Sequence, residues 1–223
     1  MAGGRADAGP VRIVWLDTAA GVLPCPGVLD RLGAPQMRRY ERLRGTAAQR
    51  FLGGRWLLLH LIDEMTDVAD LGFTTTCERC GADHARPRLE SAPIAVSLSY
   101  AGSVVAVAAA PHSDAAEVGV DIEREPSDGA GARLHDLGAL FAPAPAPDVT
   151  EWTLLEAALK ADGRGLAVDL AEIRVGVSGT GRLPASRPVW IPGRAESVEA
   201  AVVAGPRGFV LSAAMIPAAG RSS

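Results

Sequence analysis

The chain has 223 residues, a net charge of −4 at pH 7 and a hydrophobic content of 48%. This length allows one large domain or two small ones, and the apolar content is ample for a buried core. No apolar run is long enough to span a bilayer, the N-terminus lacks the apolar stretch of a secretory signal, and three cysteines are an odd number for a disulfide framework. A cytoplasmic protein without membrane association is therefore predicted.

Arginine is concentrated in residues 38–55, a segment that is predicted to be helical and that contains one acidic residue, Glu41. Its six arginines are Arg38, Arg39, Arg42, Arg44, Arg50 and Arg55. Because guanidinium groups bind phosphate through paired hydrogen bonds, the segment predicts a phosphate-binding surface. An ordinary solvated helix face is the alternative for most of these arginines. Nucleic acid is disfavoured as a partner because the patch is short and the chain is acidic.

Two cysteines, Cys77 and Cys80, precede His84 at a spacing that invites a zinc interpretation. A structural zinc site normally has four protein ligands, and only Cys25 remains as a distant fourth. Two reduced cysteines in a turn are the favoured interpretation, and zinc stays open as the alternative.

Two β-hairpins are predicted from paired apolar runs that flank glycine-containing turns. They lie at residues 94–110, around Gly102, and at residues 198–215, around Gly205–Gly208. Each hairpin follows a predicted helix, at residues 46–64 in the first case and at residues 151–162 in the second. The repetition of a helix and a hairpin suggests two halves of similar plan.

Residues 118–123 alternate as a strand with two different faces does. One face carries Val118, Val120 and Ile122, and the other carries Gly119, Asp121 and Glu123. Asp121 and Glu123 would lie about 7 Å apart. Their repulsion is costly if that face is partly buried, and a divalent cation would turn it into attraction. A solvated sheet edge with both acids facing water is the alternative.

The segment between this strand and the next helix is rich in proline. Leu140–Pro147 alternates alanine with proline and is predicted to be extended polyproline II rather than helix. Asp128, Gly129 and Gly131 mark a flexible approach to it.

Residues 151–162 are predicted to form a helix that Thr150 caps at its N-terminus and Gly163 ends. The buried stripe of this helix is predicted to consist of Trp152, Leu155 and Leu159.

Glu156 and Lys160 lie one helical turn apart beside this stripe. Considered alone, they indicate a surface ion pair. Considered together with the strand, Glu156 adds a third carboxylate to Asp121 and Glu123. Oxygen ligands from two elements suit Mg²⁺, which completes its coordination shell with water and phosphate.

The strand and the helix together resemble the signature motifs of the Sfp-type 4'-phosphopantetheinyl transferases. That family has a (V/I)-G-(V/I)-D-(I/V)-E strand followed by W-(S/T)-x-x-E-(A/S)-x-x-K-x-x-G-(K/R)-G-L. This chain has VGVDIE at residues 118–123 and WTLLEAALKADGRGL at residues 152–166. GVDIE alone is weak evidence, whereas both motifs in order are strong evidence. Looser likeness extends through RFLGGRWLLL (50–59), HARP (84–87) and SLSYAG (97–102).

The resemblance implies transfer of the phosphopantetheine arm of coenzyme A to a serine of an apo acyl or peptidyl carrier protein, with release of adenosine 3',5'-bisphosphate. It implies that Asp121, Glu123 and Glu156 hold Mg²⁺. Glu156 is also expected to take the proton of the serine, and Lys160 to neutralise charge on the phosphates. Asp121, Glu156 and Lys160 are then the catalytic residues of a monomer that acts in fatty-acid or secondary metabolite biosynthesis.

The resemblance also implies the contacts to coenzyme A. Arg50 is the expected partner of the 3'-phosphate, whereas Arg42 and Arg44 are weaker candidates because the alignment there needs a gap. Expected near the nucleotide or a phosphate are also Arg86, Pro87, Ser99 and Tyr100.

Three departures from the family pattern stand out. Tyr100 replaces a histidine that donates to a phosphate, Ala85 replaces a glycine, and Leu140–Pro147 lacks the usual acidic residue of the carrier-facing segment. A tyrosine hydroxyl can still donate a hydrogen bond, and Tyr100 packing at a hairpin corner is the alternative. The resemblance predicts that Tyr100→His preserves or improves transfer.

The fold implied by the resemblance is α+β, with two similar α/β subdomains related by pseudo-twofold symmetry and the active site in the cleft between them. Residues 1–112 would be the N-terminal subdomain, with the arginine-rich helix on the coenzyme A side. Residues 113–223 would be the C-terminal subdomain, with both signature motifs on the Mg²⁺ side. The alternatives are a degenerate member that binds coenzyme A or a carrier protein without transfer, and an enzyme of this fold with other chemistry.

Overall fold

The computed structural model describes residues 3–19, 26–76, 81, 83–126, 138–142 and 145–219. These residues form a mixed α+β structure in which all strand pairings are antiparallel. Within these ranges, none of the helices combines the length and the apolar character that a membrane crossing requires.

The strands and helices have the following bounds. The strands are β1 (Gly3–Ala8), β2 (Val11–Asp17), β3 (Phe73–Thr76), β4 (Asp83–Leu89), β5 (Ile94–Ala101), β6 (Val104–Pro111), β7 (Ala115–Arg124), β8 (Arg174–Val175), β9 (Arg187–Trp190), β10 (Val198–Val203) and β11 (Phe209–Pro217). The α-helices are α1 (Ala34–Glu41), α2 (Gly45–Asp63) and α3 (Val149–Asp162), and short 3-10 helices cover Pro26–Leu32, Gly138–Phe141, Gly165–Ala167 and Leu170–Glu172.

The strands form two large sheets and one small one. The first sheet has the order β1-β2-β6-β5, the second has the order β7-β11-β10-β9-β8, and β3 pairs with β4 alone. Helix α2 packs on β2, β5 and β6, and helix α3 packs on β7, β10 and β11. The edge strands β5 and β7 lie against each other, and this contact is called the seam below.

The two large sheets share a connectivity. In the first, β2 leads to α2 and then to the β5–β6 hairpin, and β6 lies between β2 and β5. In the second, β7 leads to α3 and then to the β10–β11 hairpin, and β11 lies between β7 and β10. Each half therefore packs its helix against three strands of its own sheet, and the three strands have the same order along the chain in both halves.

Both predicted hairpins are confirmed. Gly102, with a φ of 57°, lies in the turn between β5 and β6, and Gly208, with a φ of 80°, lies just before β11. These left-handed conformations explain the glycines, because other residues adopt them only with strain.

The predicted buried stripe of helix α3 is confirmed, and burial extends beyond it. Trp152, Leu155 and Leu159 are 3–5% exposed, and Leu154, Ala157, Ala158 and Ala161 are also buried. These residues share one apolar cluster with strands of the second sheet. Helix α3 is therefore embedded on several sides. Beyond its first turn, which is exposed in part, only Glu156, Lys160 and Asp162 retain partial exposure.

The prediction of one continuous helix through residues 38–55 is wrong. Helix α1 ends at Glu41 and α2 begins at Gly45. Gly45 has a φ of 52°, which ordinary helix residues do not adopt, so the chain breaks and restarts there. The arginines of this segment consequently lie on two helices and the bend between them.

The predicted cap of the second-motif helix is also corrected. Asp148 rather than Thr150 is the N-cap, and its carboxylate accepts a hydrogen bond of 2.8 Å from the amide of Glu151. A carboxylate at this position also interacts favourably with the helix dipole. The end of the helix at Gly163, with a φ of 86°, is as predicted.

The prediction of extended structure throughout Leu140–Pro147 is wrong at its start. Residues up to Phe141 form a 3-10 helix, and the ring of Phe141 packs edge-on against Trp152 at 6.1 Å between centroids. Burial of this aromatic side chain favours the compact turn. Pro143 and Ala144 lie outside the described residues, as do Asp128, Gly129 and Gly131.

Candidate active site

Helix α3 crosses strand β7 at Gly119, the glycine of the GVDIE motif. A β-carbon at Gly119 would overlap the carbonyl oxygen of Ala157 and would lie 2.8 Å from the amide nitrogen of Ala161. Glycine therefore permits an approach of helix to strand that a side chain would prevent. This approach brings Glu156 and Lys160 next to the strand that carries Asp121.

Asp121 is the buried centre of the site, with 2% of its surface exposed. Its Oδ1 accepts hydrogen bonds from Lys160 Nζ at 2.6 Å and from Ser99 Oγ at 2.8 Å. Lys160 Nζ also donates to Ser99 Oγ at 2.9 Å. Side chains from β5, β7 and α3 thus meet at the seam, as the two motifs predict for Asp121 and Lys160.

Glu156 lies beside this group, with its Oε2 3.7 Å from Lys160 Nζ. Burial, followed by the negative charge of Asp121, raises the pKa of Glu156 to about 7, and Glu123 adds to this effect. The opposing charge of Lys160 does not restore the ordinary value. The three predicted carboxylates therefore lie within electrostatic range of one another.

The fit of this site to Mg²⁺ depends on the carboxylate oxygens that are free. Asp121 Oδ2 is buried and has no hydrogen-bond partner among the described residues, which is unusual for a charged oxygen. In the same part of the chain, no three His, Cys, Asp or Glu side chains form a ready-made metal site. The donor chemistry still fits Mg²⁺, which often takes one or two carboxylates and several water or phosphate oxygens.

A basic cleft adjoins these carboxylates and consists of two pockets. The larger pocket, of about 690 Å³, runs along the C-terminal end of α3, and its basic lining residues are Arg86, Arg88, Lys160 and Arg164. The smaller pocket, of about 310 Å³, lies beside α2, and its basic lining residues are Arg39, Arg50 and Arg55. The two pockets share Ala85, Pro87 and Leu98, and no acidic residue is among their described lining. A chain with net negative charge thus contains a cleft suited to a polyanion.

Several of the predicted coenzyme A contacts line this cleft. Arg50, Pro87 and Tyr100 line the smaller pocket, and Arg86 lines the larger one. Ser99 is instead hydrogen-bonded to Asp121, which places it beside the carboxylates.

Arg42 and Arg44 do not line either pocket. Arg42 follows the last turn of α1 and is exposed. Arg44 donates from Nη1 to the backbone carbonyls of Glu41 and Leu43, so its guanidinium closes the bend between α1 and α2.

Arg86 is partly committed to protein contacts. It forms an ion pair with Glu117 and donates to the carbonyl oxygen of Ala161 at 3.2 Å. It therefore links β4 to the start of β7 and to the last turn of α3. A ligand in the larger pocket would meet a guanidinium whose position is already fixed.

Arg55 and Gln36 are prominent at the cleft, and sequence analysis did not single them out. Both are buried, and Arg55 Nε donates to Gln36 Oε1 at 2.9 Å. Arg55 was one of six clustered arginines, and nothing in the cluster distinguishes a buried arginine from an exposed one. The pair of glycines before it, Gly53 and Gly54, was the available signal, because a glycine pair within a helix indicates close packing.

The zinc interpretation concerns residues that the structure does not describe. Cys25, Cys77 and Cys80 lie outside the described residues, and His84 lies in strand β4. Zinc at this position stays a prediction.

No family model matches this chain, and no curated protein matches it significantly. The functional assignment therefore depends on the residues and on their geometry.

Proposed function

We propose that this protein is a cytoplasmic, Mg²⁺-dependent 4'-phosphopantetheinyl transferase of the Sfp type, which modifies a serine of an apo acyl or peptidyl carrier protein. In this proposal the two large sheets with their helices correspond to the two subdomains of that fold, related by pseudo-twofold symmetry. The observation that carries the proposal is the meeting of Asp121, Glu156 and Lys160 beside the basic cleft.

Coenzyme A suits the cleft in charge and in chemistry. Its 3'-phosphate and pyrophosphate are anionic, and the cleft presents guanidinium groups that bind such groups with paired hydrogen bonds. Lys160 lines the larger pocket and also contacts Asp121, so a pyrophosphate there would lie next to the carboxylates. The substrate would therefore bridge the arginines and the acidic group.

Asp121, Glu123 and Glu156 would hold the metal ion, Asp121 through its free Oδ2. When bound, Mg²⁺ would supply charge neutralisation on the pyrophosphate, which is a large part of catalysis in phosphoryl transfer. The acidic residues would in turn be relieved of their mutual repulsion.

The remaining chemistry belongs to Glu156 and Lys160. Glu156 takes the proton of the carrier serine, whose oxygen then forms a bond to the phosphorus that bears the pantetheine arm. The P–O bond to the second phosphate breaks, and its electron pair leaves with adenosine 3',5'-bisphosphate. Lys160 donates a hydrogen bond to the phosphate oxygen of the leaving group, on which negative charge develops. In the metal-free protein the pKa of Glu156 is raised to about 7, and a bound cation would favour its ionised form, which is the form that accepts a proton.

The test is a transfer assay with the full chain, coenzyme A, Mg²⁺ and a panel of apo carrier proteins, read by intact mass. A gain of one phosphopantetheine unit that disappears with EDTA, or with a carrier whose acceptor serine is alanine, supports the proposal. No gain on any carrier, from folded protein, contradicts it.

A binding protein without transfer activity is the second candidate. The ion pair between Asp121 and Lys160, and the lack of a ready-made three-carboxylate group among the described residues, favour it. Calorimetry distinguishes the two candidates, because a binder shows uptake of coenzyme A without any change in carrier mass.

A further inference from the structure

Arg55 places a buried positive charge at the wall of the smaller pocket. It is 4% exposed and lines that pocket together with Tyr100. Its Nε donates to Gln36 Oε1 at 2.9 Å, and its Nη1 donates to Tyr100 Oη at 3.2 Å. The guanidinium also lies over the rings of Phe51 and Phe73, at 4.5 and 5.4 Å from their centroids.

All of these partners are neutral. No carboxylate among the described residues forms an ion pair with Arg55, and burial, reinforced by the charge of Arg39, lowers its pKa. A buried charge without a counter-ion is unfavourable unless a ligand supplies one. This part of the pocket is therefore suited to an anion.

A chain of hydrogen bonds fixes the orientation of Arg55. Gln36, 1% exposed, accepts from Arg55 and donates from Nε2 to Thr75 Oγ1 at 3.2 Å. The chain runs from β3 through α1 and α2 to Tyr100 on β5. Because each member comes from a different element, the guanidinium is held by the fold rather than by local sequence.

On its other side, the hydroxyl end of Tyr100 lies against Gly54 of helix α2. A β-carbon at Gly54 would lie 2.8 Å from Tyr100 Oη, so the hydroxyl occupies a notch in helix α2 that glycine leaves open. The hydroxyl accepts from Arg55, and its own proton is not used in that bond. A phenol both accepts and donates, so this proton is available to a ligand in the pocket.

We propose that Arg55, Tyr100 and Gly54 act as one unit that recognises a phosphate group of coenzyme A. In this unit Tyr100 donates to a phosphate oxygen, and Arg55 is the positioning residue that orients and polarises the hydroxyl. Gly54 leaves the space in helix α2 that the hydroxyl group occupies. The inference rests on the proposed function for the identity of the ligand. It also explains how a tyrosine serves where the resembling family has histidine.

The first test compares Tyr100→Phe with wild type by calorimetry, with coenzyme A and with dephospho-coenzyme A as ligands. Loss of a hydrogen bond to a charged group predicts about tenfold or greater weakening of coenzyme A binding. If the bonded group is the 3'-phosphate, the loss is confined to coenzyme A, and if it is the pyrophosphate, both ligands lose affinity. Tyr40→Phe is the matched control, because this tyrosine stacks on Phe51 outside the pocket lining and should bind like wild type.

Two further variants test the geometry rather than the presence of the hydroxyl. Gly54→Ala keeps every hydrogen-bonding group but must displace the hydroxyl, so coenzyme A binding should weaken severalfold in the folded protein, with binding measured well below the melting temperature because the methyl group also meets the buried Val105. Tyr100→His places its nitrogens too near the backbone to reach Arg55, so it should also weaken binding. The family resemblance alone predicts the opposite for Tyr100→His.

The outcomes separate this inference from the proposed function. Transfer activity with unchanged affinity in Tyr100→Phe and Gly54→Ala overturns the inference and leaves the function in place. Tyrosine-dependent binding without transfer supports the inference and contradicts the function. Failure of folded wild type to bind either ligand overturns the inference.

Discussion

Asp121 shows how much a site depends on the second oxygen of one carboxylate. Its Oδ1 is used by Lys160 and Ser99, whereas Oδ2 is buried without a partner among the described residues. An unpartnered buried carboxylate oxygen is destabilising in isolation. The presence of this unpartnered oxygen at the seam is explained if a cation binds to it during function.

We expect Asp121→Asn to lower Mg²⁺-dependent transfer at least about 100-fold, because an amide removes the charge and one oxygen ligand at almost the same volume. The measurement is the rate of carrier modification by intact mass at saturating Mg²⁺. Glu125→Gln is the control, since this exposed acid follows the same strand outside the site. Full activity in Asp121→Asn would show that the ligand assignment is wrong.

Glu156 makes the stability of the metal-free protein depend on pH. Its pKa is raised from 4.5 to about 7 in the folded state, so the folded state binds more protons between these values. The stabilisation is fully present below pH 4.5 and is lost as pH rises through about 7. The loss amounts to roughly 1–3 kcal/mol.

We therefore expect the melting temperature of metal-free wild type to fall between pH 5.5 and pH 8, and that of Glu156→Gln to fall less. Added Mg²⁺ should reduce the difference at pH 8, because the ion neutralises the ionised carboxylates. Scanning calorimetry with and without EDTA measures both effects. Parallel pH profiles for the two proteins would refute the raised pKa.

At the scale of elements, the site is the product of one close crossing. Helix α3 reaches β7 because Gly119 has no side chain, and Glu156 and Lys160 approach Asp121 for that reason. The same crossing buries the alanines of α3 against the sheet. Fold stability and site geometry therefore depend on the same glycine.

We expect Gly119→Ala to destabilise the protein by about 1–3 kcal/mol or more, because the new methyl group forces the helix away from the strand. Transfer should be lost even in the molecules that stay folded, since Lys160 and Glu156 move away from Asp121. Denaturant unfolding and the mass assay measure the two effects. Gly179→Ala is the control, because a β-carbon there contacts nothing within 4 Å. Similar stability and activity of the two variants would show that the site does not depend on the close approach of α3 to Gly119.

The elements that the sequence predicted best were those with a strong local signal. The hairpins, the GVDIE strand and the helix end at Gly163 follow from alternation, turn glycines and motif spacing. The N-cap was wrong because Asp148 and Thr150 both satisfy capping chemistry, and only the path of the chain decides between them. The predicted helix at residues 46–64 begins at the observed break, whereas the helical prediction for residues 38–55 ran across it, because a glycine beside arginines carries no sign of its φ.

At the scale of the whole molecule, charge is segregated. The chain has a net charge of −4, yet the described lining of the cleft holds seven basic residues and no acidic one. Such a cleft attracts polyanions by long-range electrostatics, which salt screens.

We expect coenzyme A binding to weaken about three- to tenfold when salt is raised from low to several hundred millimolar, because arginine–phosphate attraction is screened. Calorimetry across a salt series measures the effect. Dephospho-coenzyme A carries less negative charge and should show a shallower dependence. Equal slopes for the two ligands would mean that the 3'-phosphate does not lie in the basic cleft.

The sequence predicted the α+β class and the residues around Asp121, and it predicted the cleft lining less well. The carboxylates and Lys160 belong to contiguous motifs, whereas the arginine pockets combine α1, α2, β3, β4 and β5, whose contacts depend on tertiary packing. Strands β1 and β2 were not predicted. Strand β1 consists of small and polar residues at a sheet edge, whereas the apolar run of β2 does carry a strand signal, which was overlooked. Burial of Arg55 and Gln36 could not be read from residue type, which favours exposure for both.

Side-chain hydroxyls, rather than a ladder of main-chain hydrogen bonds, join β5 to β7. Ser97 Oγ accepts from the amide of Val120 at 3.1 Å, and Ser99 bonds to Asp121. Each β-sheet thus remains complete on its own side, and the two sheets are held together by the apolar cluster that they share and by these hydroxyl groups. The polar part of the seam therefore depends on Ser97 and Ser99, and because Ser99 also bonds to Asp121, one side chain both joins the two sheets and sets the geometry of the site.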